Sequence, residues 1–194
     1  AFMLLLTDTS IAQTEAEISN ELTTLYRAAR KVISTNQAHI NDASIAEKGL
    51  SGEVVAKQML DNYKAASGTA LDLSSLSDAQ QGMISAVKDV MGENQDLINE
   101  AGVALKGFLP AVFARQVATK FNSKMSGKMK IKLTAPKSYV RNRSNRPDKW
   151  EHNVIEANFK SESYIKGKPF AENSTVKGKD AFRFILPEYY GESC

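Results

Sequence analysis

At 194 residues and 21.3 kDa the chain has the length of one domain, and 42% hydrophobic with 24% charged residues excludes a disordered or fibrous polypeptide. A lone cysteine, Cys194, excludes an internal disulfide framework and a cysteine-cluster zinc site; two histidines exclude the HExxH pattern, and no apolar run is long enough to cross a bilayer. The net charge of +3 conceals a lopsided distribution, because residues 115–149 hold eleven basic side chains and one acid, Asp148; such a block points to an anionic partner.

The chain opens on Ala1-Phe2-Met3-Leu4-Leu5-Leu6, and Ser10-Ile11-Ala12 fits the small-x-small pattern of a signal-peptidase site. Residues 1–14 are therefore expected to be a signal-peptide remnant or the end of a membrane anchor, either of which places the body outside the cytoplasm. The competing reading is the buried start of a helix in a cytosolic protein. No Gly or Pro precedes Gly49, so a long helix can run unbroken. Ile11, Ile18, Leu22, Leu25, Ala29 and Val32 recur at helical spacing. That 11–33 stripe needs a cover, either the domain's own core or the same helix of a second copy, so a homodimer or docking onto a larger membrane complex is an open expectation.

Asn41-Asp42 and Lys48-Gly49 mark a loop. Ser51 is expected to cap a helix over 52–66 that turns Val55, Met59, Leu60 and Tyr63 inward and closes at Gly68. Ser77 or Asp78 caps a third helix, with Met83, Ile84, Val87, Val90 and Met91 on one face. Leu97, Ile98, Ala101 and Leu105 suggest a further helical piece. Pro110 opens a helix with Val112, Phe113, Val117 and Phe121 along one side.

The period then changes to two. Met129, Ile131 and Leu133 alternate with Lys128, Lys130 and Lys132, which predicts a half-buried strand. Pro147 is expected to start a short helix through Trp150, Val154 and Ile155. Phe170–Val176, a turn at Gly178 and Phe182–Leu186 read as a hairpin that Pro187 stops. No internal repeat is visible. The class is α+β, a helical part (15–122) followed by an antiparallel sheet with flanking helices (123–194), in one domain over 15–194.

The stretch Arg141 to Trp150 packs Arg141, Arg143, Arg146 and Lys149 into a loop that opens onto a helix. Arginine forks suit carboxylate or phosphate. An anion site and a structural network with Asp148, Glu151 and carbonyls are the two readings. Nucleic acid is not expected, since only Tyr139 and Trp150 lie near the block and the aromatics of single-strand binders are lacking. Neither a glycine-rich phosphate loop nor a nucleophile elbow occurs, and the carboxylate pairs sit at surface-like positions, so no enzyme activity is expected.

Several stretches, in order, resemble one known family: Arg27-Ala-Ala-Arg30, Asn36-Gln37, Ile40-Asn41-Asp42, Lys48-Gly49-Leu50, the run from Gly107 to Arg115, Thr134-Ala135-Pro136, Val140-Arg-Asn-Arg143, the run from Arg146 to Glu151, and Pro187-Glu-Tyr-Tyr190 followed by Cys194. They are similar to bacterial c-type-haem, PAS-like extracytoplasmic domains, a domain of unknown function that occurs alone or as the sensor part of histidine kinases and chemoreceptors. The resemblance covers residues 25–194. In that family Tyr-Tyr leads into Cys-x-x-Cys-His, whose cysteines form thioethers to haem and whose histidine binds the iron. Cys194 matches the first cysteine, and the resemblance implies a chain truncated within that motif, with the C-terminal strands missing. It implies haem c as cofactor and a periplasmic, membrane-anchored or secreted protein acting as a redox or small-ligand sensor or in electron transfer. A natural variant with one thioether, or a haem-free module, is the alternative. If haem is present, Cys194 supplies the thioether, Arg141, Arg143 and Arg146 meet the propionates, and Phe108, Phe113, Trp150, Tyr189 and Tyr190 form its bed. His39 is the candidate iron ligand among the residues present.

Overall fold

The computed structural model describes residues 13–189. The expectations for the signal or anchor segment, for Ile11, and for Tyr190 and Cys194 fall outside those residues. Helix α1 (Glu15–Thr35) starts where Thr14 and Glu17 close a capping box: the Glu17 N–H donates to Thr14 Oγ1 at 3.2 Å and the Thr14 N–H to Glu17 Oε2 at 2.7 Å. The Thr14 N–H, together with the Thr14 hydroxyl, which donates to the same Glu17 oxygen at 3.0 Å, holds the Glu17 carboxyl below the usual carboxylate range. Leu22, Leu25, Ala29 and Val32 of the apolar stripe are buried, together with Tyr26 and Ile33. The cover is the domain's own core, made by α3 (Gly52–Ser67), α4 (Asp78–Glu93) and α6 (Pro110–Lys124). A fully buried Leu or Ile on this stripe is worth roughly 1.5–3 kcal/mol over an exposed one.

Ser51 caps α3 through the Val54 N–H, and Gly68 ends it in the left-handed conformation at φ +78°. A capping box of Ser77 and Gln80 starts α4. Pro110 takes the first turn of α6, where an N–H would have no helical partner. α3 crosses α4 closely at Gly52: a Cβ there would stand 2.8 Å from the Lys88 carbonyl oxygen.

Short helices α2 (Gln37–Ile40) and α5 (Gln95–Ile98) follow α1 and α4. The helical piece expected through Leu105 therefore stops at Ile98. Gly102 turns the chain at φ +76°, and Ala101 and Leu105 are exposed, the latter at 84%.

Two side-chain arrangements recur along the helical part. The Asn36 Nδ2–H donates to the Val32 carbonyl at 2.8 Å and to Gln58 Oε1 at 3.3 Å. Fifty-eight residues on, the Asn94 Nδ2–H donates to the Val90 carbonyl at 2.7 Å and to Gln116 Oε1 at 2.9 Å. The buried ammonium of Lys48 donates to the Asp42 carbonyl, and that of Lys106 to the Glu100 carbonyl. Each lysine precedes a left-handed glycine, Gly49 at φ +64° and Gly107 at +71°.

The strand expected over 128–133 is an extended segment outside any sheet ladder. Its alternation is as read, with Met129, Ile131 and Leu133 half-buried against the core and Lys128, Lys130 and Lys132 outward. The Asn122 side chain takes the place of a neighbouring strand. It donates to the Ile131 carbonyl at 3.0 Å and accepts the Ile131 N–H at 2.8 Å. Single 3₁₀ turns follow at Lys137–Tyr139 and Arg143–Asn145.

Helix α7 (Lys149–Asn153) begins after Asp148 rather than at Pro147, because Asp148 and Glu151 form a third capping box. A π-helical turn, Val154–Asn158, carries it on. Strands β1 (Phe170–Val176) and β2 (Lys179–Ile185) pair antiparallel, Phe170 opposite Ile185 and Glu172 opposite Arg183. Lys177 and Gly178, both at positive φ, make the two-residue connection that this twist favours. The fold is α+β, and the sheet of the described residues has these two strands.

Candidate functional site

Three places bring the singled-out side chains together. The first is the contact of the hairpin with α7. The Arg183 guanidinium lies 4.2 Å from the Trp150 ring centroid, donates to Asp148 Oδ2 at 2.7 Å and stands 3.9 Å from Glu151 Oε1. The Trp150 indole N–H donates to the Glu172 carboxylate, and its ring packs against Phe170 at 6.1 Å. Lys132 reaches Glu151 Oε2 and the Arg146 carbonyl, at 2.7 and 2.8 Å. Burial works to raise the Asp148 carboxyl, but the Glu151 N–H and the Arg183 charge outweigh it and hold it low. Arg183, Glu172 and Lys132 were missed as members of this cluster. The Asp148-x-x-Glu151 capping pattern signals the two acids of the cluster but none of these three.

The second place is the basic loop. Arg141, Arg143 and Arg146 are exposed, and among the described residues none of the three has a carboxylate within ion-pair distance. The acids that a structural network would use, Asp148 and Glu151, are taken by Arg183 and Lys132.

The third is where the C-terminal segment meets α1. Arg30 forms an ion pair with Glu188, and Arg27 Nε stands 3.7 Å from the same oxygen. Beside this clasp runs an open groove of about 830 Å³, lined by Glu17, Glu21 and Arg27 of α1, Tyr63 and Ser67 of α3, and Pro169 and Leu186. Its size is that of a small-molecule site, although its walls are more polar than most such sites. Tyr189 is half exposed, with Lys166 Nζ 4.7 Å from its ring centroid and its hydroxyl accepting the Gly167 N–H at 3.2 Å.

Phe108 and Phe113 lie elsewhere. Both are buried in the helical core, edge to face at 5.9 Å. His39 Nε2 is 2.8 Å from the Lys48 carbonyl and so carries the donated proton. His152 Nδ1 is buried without a partner. Among the described residues, no three His, Cys, Asp or Glu side chains group as a metal site.

A haem c needs a thiol, an iron ligand, apolar surface and cations for its propionates. The unpaired arginines fit the last need, and the Tyr189 and Trp150 rings offer aromatic surface. The thiol lies outside the described residues, and His39 has only Nδ1 left for a metal. The fit is therefore to the periphery of the group, with no iron ligand assigned.

No helix among the described residues is long and apolar enough to cross a membrane. No curated protein and no solved structure matches the chain. The sequence does match the family described as Tll0287-like (Tll0287) over residues 9–194, nearly its whole length, and the chain belongs to the Tll0287-like family.

Proposed function

We propose that the chain is an extracytoplasmic c-type haem protein that serves redox or small-ligand sensing or electron transfer, without turnover of a substrate. The observation that carries this reading is the clasp of Arg27 and Arg30 on Glu188. It joins the Arg27-Ala-Ala-Arg30 and Pro187-Glu-Tyr-Tyr190 stretches, the first and last of the segments that resemble haem-c domains, beside an open groove. Glu188 lies six residues before Cys194 in the sequence.

When bound, haem would supply an iron that changes oxidation state or holds a small ligand. The chain's part is to hold the group. Cys194 provides a thioether, and Arg141, Arg143 and Arg146 offer forks that match carboxylates two bonds at a time. Tyr189 and Trp150 offer aromatic surface. The test is to make the full-length protein in a host with c-type cytochrome maturation and record its pyridine-haemochrome spectrum and intact mass. A haem increment that is lost in Cys194→Ala is expected; an intact protein without that increment overturns the reading.

The unpaired arginines favour a second reading, a haem-free module that binds a carboxylate or phosphate ligand at Arg141–Arg146. It predicts thermal stabilisation by such anions in the haem-free protein that disappears in Arg143→Ala. Equal melting with and without anions would count against it.

A further inference from the structure

We infer that residues 25–63 and 83–121 are two copies of one helix–hook–helix unit, and that the first copy alone is adapted to seat the C-terminal segment. Shifted by 58 positions without a gap, the two stretches share thirteen of 39 residues. Helical periodicity accounts for shared apolar positions, since any two helices on one core show them. It does not account for shared polar side chains that make the same bonds. Asn36 and Asn94 each tie the end of the first helix to a glutamine on the second, Gln58 or Gln116. Lys48 and Lys106 are each buried in their own hook on the carbonyl six residues back.

The packing between copies is reciprocal. The second long helix of the first copy, α3, packs on the first long helix of the other, α4, and α6 packs on α1 in return. That is the pattern of a two-fold interface built within one chain.

Where the copies differ, their roles differ. Arg27 and Arg30 on α1 correspond to Ser85 and Lys88 on α4. Arg27 and Arg30 hold Glu188, whereas Lys88 Nζ pairs with Glu53 of α3 at 2.8 Å, inside the helical body. The first copy therefore holds the C-terminal segment, and the second serves as scaffold. This assignment stands whether or not a haem is attached.

Two measurements on the full chain test it. Lys48→Met and Lys106→Met should lower the urea midpoint by like amounts, because each removes the same pin from an equivalent hook. A fall in only one of them overturns the duplication. Giving α1 the second copy's residues, Arg27→Ser with Arg30→Lys, should speed chymotryptic cleavage after Tyr189 under native conditions roughly fivefold, the scale of a partly exposed ion-pair network. The unfolding midpoint should stay in place. Ser85→Arg with Lys88→Arg should leave that cleavage unchanged, and Arg30→Glu with Glu188→Arg should return it to the wild-type rate in a charge swap. Unchanged cleavage in the α1 variant, or an equal change in the α4 variant, overturns the specialisation.

Discussion

Arg183 joins the hairpin to the helical turn before it. It has the Trp150 face beneath it and the Asp148 carboxylate at its edge, so a charge on a mostly apolar strand is fully engaged. Asp148 serves twice, as the cap of α7 and as the partner of Arg183. Its carboxyl is held low in the folded chain, while the unfolded chain has the ordinary value of about 4. Its contribution is therefore complete above that pH and is lost as the pH falls through the folded value. Asp148→Asn should flatten the acid limb of a stability–pH profile, measured by urea unfolding, and should leave the neutral-to-alkaline limb parallel to wild type. This cluster was only half legible. Asp148-x-x-Glu151 reads as a cap from sequence, but Arg183 on an alternating strand reads as a solvated charge. Only the docking of the hairpin on Trp150 gives it partners.

At the scale of elements, the long helices were legible because their ends carry side chains with local work to do: Ser51, Ser77, Gly68 and Pro110 stand at the boundaries. The 128–133 stretch shows where that reading stops. Alternation fixes which side chains face inward, and Met129, Ile131 and Leu133 do so, but alternation cannot say what pairs with the backbone. Here the partner is one amide side chain on α6. Asn122→Ala would remove two hydrogen bonds and leave a half-buried N–H and carbonyl at Ile131 without them. The expected cost is about 1–3 kcal/mol of unfolding free energy by urea titration, with faster exchange of the Ile131 amide. The 97–105 piece was misread for a related reason. Leu97, Ala101 and Leu105 have helical spacing, but Gly102 takes a left-handed turn and leaves Leu105 in water.

For the molecule as a whole, the α+β class followed from the change of period, whereas the duplication did not surface. Its core positions have drifted: Leu25 corresponds to Met83, Leu50 to Phe108 and Met59 to Val117. Apolar side chains exchange readily when total volume is kept, so the likeness survives mainly in the hooks, where polar groups have fixed partners. The proposed haem bed was similarly hard to place from sequence. Phe108 and Phe113 have the aromatic character that a cofactor wants, but Phe113 lies on the inward stripe of α6 and Phe108, in the loop before it, packs edge to face on Phe113 in the core, whereas Trp150 and Tyr189 stay near the surface. The clustering of Arg141, Arg143 and Arg146 was legible; that Asp148 and Glu151 are committed elsewhere was not. The stretch from Gly68 to Ser77, which joins the copies, holds no buried residue, while the contacts of α1 with α6 and of α3 with α4 pass from one copy to the other. Cleaving that bridge would therefore break one covalent connection and leave the apolar seam between the halves whole, so that the severed body persists as a pair of complementary fragments.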